Sequence, residues 1–229
     1  ERALIMKELR MAEDIHLITL RDPRSPAAEG YRALRVNLAY TSLDRTLRTF
    51  VVASPSVAET ESNVGANLAV VMAQAGQRVC LVDADLRRPS LHQLFGVPQE
   101  PGVTTTLLSQ DETMPVSLAE TAVAGLRLLP SGALPPNPAD ILSSQKMAAL
   151  LAHLKEQSDV LILQAPPVTV AVDASVLAAQ TDGLLLVIRA GHTRRDRIEK
   201  AKELLERFRV RLLGAVLTDA PDRGLQTGY

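Results

Sequence analysis

Tryptophan is absent from the 229-residue chain, and its other aromatics amount to three Tyr and three Phe. So few flat π-faces leave little from which to build a stacking platform for bases or sugar rings. Cysteine is reduced to Cys80. That excludes an internal disulfide and a cysteine-based zinc site and fits a reducing compartment. Within its apolar run, Cys80 reads as a small buried residue. An excess of one charge is also missing: 25 Lys and Arg against 26 Asp and Glu leave a net charge of -1. No bulk field therefore draws the chain to nucleic acid or to an acidic membrane. No stretch approaches the ~20 apolar residues that a membrane helix needs. The best, residues 160–172, is interrupted by Gln164, Pro166 and Pro167. No signal-peptide pattern is visible. Because the first residue is Glu1 rather than Met, the expectation is a processed or excised piece of a longer protein, with any membrane anchor lying elsewhere.

What is present is a large apolar fraction, 46% of the residues, ample for one full core. Six apolar, β-branched-rich runs stand at residues 49–53, 78–83, 126–130, 160–164, 183–189 and 211–218. Most are continuous rather than alternating, as in strands covered on both faces of a parallel sheet. Helix-like segments separate them, so the fold class predicted is α/β, a doubly wound, mostly parallel sheet with helices on both faces. Ser25-Pro26 opens a helix to about Ser42, with Pro at the first helical position. Gly76 closes one that begins near Glu61. A charged helix is predicted over residues 193–209, with Leu204, Leu205 and Phe208 inward and Glu199, Lys202, Glu203 and Arg207 solvated. Tyr31 and Tyr40 are expected to pack. The organisation predicted is an N-terminal extension over 1–24, a single domain over 25–220 and a tail over 221–229, both ends weakly patterned.

After the first strand comes Ser54-Pro55-Ser56-Val57-Ala58-Glu59-Thr60-Glu61-Ser62-Asn63. A phosphate-binding loop has glycines here, then Lys and a hydroxyl residue. The glycines let backbone N–H groups curl around phosphate, the lysine bridges the terminal phosphates, and the hydroxyl holds Mg²⁺. Alone, this segment is an ordinary polar loop. The next strand ends in Asp83-Ala84-Asp85-Leu86-Arg87-Arg88-Pro89. At the carboxyl end of a parallel strand such groups face the ligand crevice.

Residues 81–89 resemble the second Walker-type motif of the bacterial tyrosine kinases that control capsule and exopolysaccharide synthesis, members of the deviant-Walker ATPases. Further matches follow in order. Glu29-Gly30-Tyr31-Arg32-Ala33-Leu34-Arg35 resembles the family's Glu-x-x-Arg-x-x-Arg helix. Residues 129–138 with Ser143-Ser144 resemble its mid-domain turn. Residues 161–167 resemble the Walker B strand, with Asp173 in place after it. The resemblance covers roughly residues 20–218 and implies a nucleotide-binding fold, with Asp83 and Asp85 as the catalytic carboxylates and Ser62 and Asp83 at the metal.

Laid on that pattern, Ala58 and Thr60 occupy glycine positions, Glu61 the lysine and Asn63 the second hydroxyl, and only Ser62 is retained. Gln164 occupies the Walker B aspartate, and Leu217-Thr218 replaces a Leu-Asn that reaches adenine in related ATPases. A unit charge pair at ~4 Å is worth about 4 kcal/mol at an effective dielectric near 20. Exchanging Lys for Glu beside a polyphosphate removes that attraction and adds a repulsion, a loss of about 10²-fold or more in affinity. The expectation is a degenerate site: Asp83 and Asp85 vestigial, no cofactor, and the loop from Ser54 through Ala58, Glu59, Thr60, Glu61, Ser62 and Asn63 without nucleotide. Glu61 pairing with Arg87 or Arg88 to fill the vacancy is one possibility; a solvated Glu61 is another.

Glu29, Arg32 and Arg35 share one helix face. A solvated salt-bridge face is one reading. The resemblance implies a contact with a neighbouring subunit, either a second copy or a homologous kinase, and a membrane polysaccharide co-polymerase as partner. It also implies a cytoplasmic position at the inner face of the membrane, and no nucleic acid. Where the family carries a tyrosine cluster, this chain ends in Tyr229 alone. The alternatives are an active Mg-ATP-dependent tyrosine autokinase using Asp83 and Asp85, and a partitioning or positioning ATPase that binds DNA or a membrane.

Overall fold

A computed structural model describes residues 17–41, 46–57, 63–110 and 116–220. Seven strands form one sheet in the order β3-β4-β2-β5-β1-β6-β7. They are β1 (Thr49–Ala53), β2 (Val79–Asp83), β3 (Ala119–Glu120), β4 (Leu126–Leu129), β5 (Val160–Gln164), β6 (Leu184–Arg189) and β7 (Leu212–Thr218). Every pairing is parallel except β3 with β4. The doubly wound, mostly parallel sheet read from the continuous apolar runs is therefore the observed fold. β1 and β2 are buried along their whole length, as strands covered on both faces must be. The two-residue strand β3 carries no apolar pattern, and the sequence reading missed it.

Nine helices are described: α1 (Ile18–Arg21), α2 (Pro26–Tyr40), α3 (Val64–Gln74), α4 (Leu91–Leu94), α5 (Val103–Leu108), α6 (Pro138–Leu142), α7 (Gln145–Gln157), α8 (Asp173–Ala178) and α9 (Arg195–Arg207). Their ends follow local chemistry. The Ser25 hydroxyl accepts the Ala28 N–H in front of α2, with Pro26 inside the first turn, and Ser144 caps α7 through Met147. Gly76, at φ 87, ends α3, where its missing Cβ admits the left-handed conformation. Two clusters of buried side chains form the core, one holding Phe50, Leu68, Leu81 and Ile162, the other Val51, Val82, Leu129, Leu161 and Leu186. Successive residues of one strand fall into different clusters, as the period of two requires. Cys80 is buried, and burial pushes its thiol up to about 12.

Several expectations need correction. Tyr40 is 68% exposed and does not pack; it lies in the last turn of α2, beyond the buried Leu38. Phe208 is 38% exposed, because α9 ends one residue earlier and Phe208 is its C-cap. The helix expected from about Glu61 is described only from Val64. Residues 17–24, read as part of an extension, include Leu17 and Thr19, both buried on the domain.

Candidate functional site

The carboxyl ends of β1, β2 and β5 converge. Gln164, the last residue of β5, is in register with Asp83 on β2 and with Val52 on β1. Ser54 follows β1, is buried, and donates its hydroxyl to the Ser56 carbonyl at 2.8 Å. Thr169 Oγ1 donates to Pro55 O at 2.7 Å and Val168 N to Ser54 O at 2.9 Å, which fastens the start of the loop after β1 to the loop after β5.

Asp83 is 1% exposed. Its Oδ2 accepts the N–H groups of Ser90 at 3.0 Å and Leu91 at 2.9 Å, while Oδ1 is buried without a partner. Burial pushes the carboxyl up to about 7, against the pull of those two donors and, more weakly, of the Asp85 N–H, and the nearby charge of Asp85 adds to the rise. Its neighbour in register, Gln164, buries an unpartnered Oε1. A Cβ on Gly65 would stand 2.5 Å from that oxygen, so glycine in the first turn of α3 admits the amide. The sequence reading gave Gly65 no role. Two orphaned acceptor oxygens thus end adjacent strands, one on a carboxyl of raised proton affinity and one on a neutral amide. A divalent cation is held by oxygen ligands; Asp83 and Gln164 present such oxygens here, and Ser62 lies outside the described residues.

Asp85 does not point into open space. Its Oδ1 accepts the N–H groups of Arg87 at 3.1 Å and Arg88 at 2.9 Å, holding the turn after β2. Arg87 forms a two-pronged pair with Asp173, Nε to Oδ2 at 2.8 Å and Nη2 to Oδ1 at 3.1 Å. The Asp173 side chain is wholly buried at the start of α8. Arg87 therefore ties the β2 turn to α8. Arg88 is exposed and has no side-chain partner among the described residues. Ala58, Glu59, Thr60, Glu61 and Ser62 lie outside the described residues, and so does any pairing of Glu61. Asn63 is described and takes the left-handed conformation, φ 45 and ψ 29, immediately before α3. At the end of β7, Leu217 is 58% exposed and Thr218 buries its Oγ1 without a partner.

On α2, Glu29 and Arg32 pair at 2.8 Å, and Arg32 also donates to Pro23 O at 2.6 Å. Arg35 stands one turn further on, partly buried. Between them Tyr31 turns inward; burial raises its phenol to about 12, partly offset by a hydrogen bond with the Asn67 side chain. Asn67 is the residue that sequence reading passed over, although a lone amide in the otherwise apolar, buried face of residues 64–73 was its signal.

Residues 49–218 match the family described as ParA, NUBPL iron-transfer P-loop NTPase. The chain is 37% identical to tyrosine-protein kinase YwqD of Bacillus subtilis over 88% of this chain and 85% of that protein. Among solved structures, the kinase domain of Escherichia coli tyrosine kinase ETK superposes with a TM-score of 0.84 at 29% identity, covering 94% of this chain and 84% of that one. The chimerical protein CapA2B2 superposes with a TM-score of 0.81 at 33% identity, covering 88% of each. Fold, strand-end carboxylates and sequence relatives agree: the chain belongs to the ParA-like P-loop NTPases and, within them, to the bacterial tyrosine-kinase group.

Proposed function

We propose that this chain is a catalytically impaired member of its group, a regulatory or scaffolding domain of a capsule or exopolysaccharide system. The observation that carries the reading is Gln164. It stands in register with Asp83 where the family pattern places a second carboxylate, and its buried Oε1 has no partner. Phosphoryl transfer rests on positioning and neutralisation of charge. A neutral amide at the metal position and Glu61 at the lysine position each remove part of that neutralisation. Calorimetric titration with Mg-ATP and Mg-ADP tests the reading: dissociation constants weaker than about 1 mM are expected, and phosphotyrosine should be absent by mass spectrometry. Micromolar binding together with autophosphorylation would establish the active autokinase instead.

The retained assembly role follows from α2. Its Glu29–Arg32 pair is exposed on one side and anchored to Pro23 on the other, a rigid face suited to a second copy or to a homologous kinase subunit. A membrane polysaccharide co-polymerase, the partner that the family resemblance implies, is the other partner in this reading, with this domain at the inner face of the membrane. Arg32→Glu reverses the charge beside Glu29. Light scattering should then show loss of self-association or of association with the kinase subunit, and an unchanged mass would return the face to ordinary solvent exposure.

A further inference from the structure

Asn67 joins two parts of the chain far apart in sequence. Its Oδ1 accepts both the backbone N–H of Thr19 at 3.2 Å and the Thr19 hydroxyl at 2.9 Å. Its Nδ2 donates to Asn63 O at 3.1 Å, and its own backbone N–H reaches the same carbonyl at 3.0 Å. Thr19 is 1% exposed and Asn67 3%, so the bonds between them are made out of competition with water and are costly to leave unmade. Asn63 is the residue whose left-handed backbone, φ 45, turns the chain from the loop after β1 into α3. Asparagine is one of the few non-glycine residues that enter that region at low cost. The Asn63 side chain makes no capping bond, and among the described residues its carbonyl is engaged twice by Asn67. The other side of the clamp is α1, a single turn with Leu17 wholly buried beside it.

We propose that Asn67 is a positioning residue that ties the N-terminal segment, through Thr19, to the turn at Asn63 where the phosphate-type loop enters α3. Docking of residues 17–21 holds that turn, and a displacement arriving along the N-terminal segment is transmitted to it. The coupling does not depend on whether the loop takes nucleotide, so it stands or falls apart from the proposed loss of catalysis.

Hydrogen exchange on the full chain tests it with two variants. Thr19→Val keeps the shape and removes the hydroxyl donor; Thr19→Ser keeps the donor and removes a methyl. In Thr19→Val the amide of Asn67 should exchange at least tenfold faster than in the parent, while the amides of β5, on the far side of α3, change less than twofold. Thr19→Ser should return the Asn67 rate to within about threefold of the parent. A uniform rise across α3 and β5 would show that Thr19 merely stabilises the whole domain. No rise at Asn67, or an equal rise in Thr19→Ser, would remove the coupling. Each of these outcomes overturns the proposal.

Discussion

Asp83→Asn will raise the thermal midpoint of the domain by about 10 °C at pH 8 and leave it nearly unchanged at pH 4. The cause is the buried carboxyl at the end of β2. In the folded chain it titrates at about 7 rather than at its ordinary value of 3.8, chiefly through burial. The folded state therefore holds a proton that the unfolded chain has already released. Stability from this group is complete below about pH 4 and is lost as pH rises through 7, the sign opposite to that of a salt-bridged carboxylate. At 1.36 kcal/mol per unit the loss is about 4 kcal/mol, and a chain of this size moves roughly 2–4 °C per kcal/mol. Asparagine keeps an oxygen for the Ser90 and Leu91 amides and presents no charge at the position of the unpartnered Oδ1. Melting curves from pH 4 to pH 8 measure the difference directly. A variant that melts below the parent at pH 8 would mean that the Asp83 carboxylate is stabilised by something beyond its described partners.

The opposite result is expected where the β2 turn meets α8. Arg87→Ala should cost about 3 kcal/mol. Truncating the arginine leaves Asp173, whose side chain has no exposure to water, as an uncompensated buried charge. The value sits at the low end of what a broken buried pair costs, because the Arg87 side chain is itself 41% exposed. Adding Asp173→Asn to Arg87→Ala removes the stranded charge and should recover more than half of the loss. Denaturant titration of the two single variants and the double variant closes the cycle. Additive losses would show that the pair is not coupled.

The strands were legible because the sheet is buried on both faces. Residues 50–53 and 160–163 are apolar throughout, and that pattern has few other readings. Asp83 and Gln164 could be placed as strand-end residues for the same reason. Their partners could not. Whether Asp85 faces a ligand or its own turn depends on the path of three residues, and Arg87 meets Asp173 across 86 positions. Gly65 looked like any helical glycine until the Gln164 amide was seen against it. Asn67 is the sharpest case. Nothing within α3 distinguishes a satisfied amide from a stranded one; its partner Thr19 lies 48 positions upstream, in a segment with too little periodicity to be placed. Phe208 and Tyr40 failed for a simpler reason: helix ends are the least determined part of a periodic pattern, and both residues sit there.

The sheet order also sets a timetable for the ribosome. β1 lies between β5 and β6, and Thr49 is in register with Leu161 while Val51 is in register with Leu184. The Thr-Phe-Val-Val-Ala strand therefore emerges with neither neighbour in existence. At roughly 5–20 residues per second, it waits several seconds for the first and longer for the second. During that interval an apolar strand with two open edges is what a nascent-chain chaperone meets.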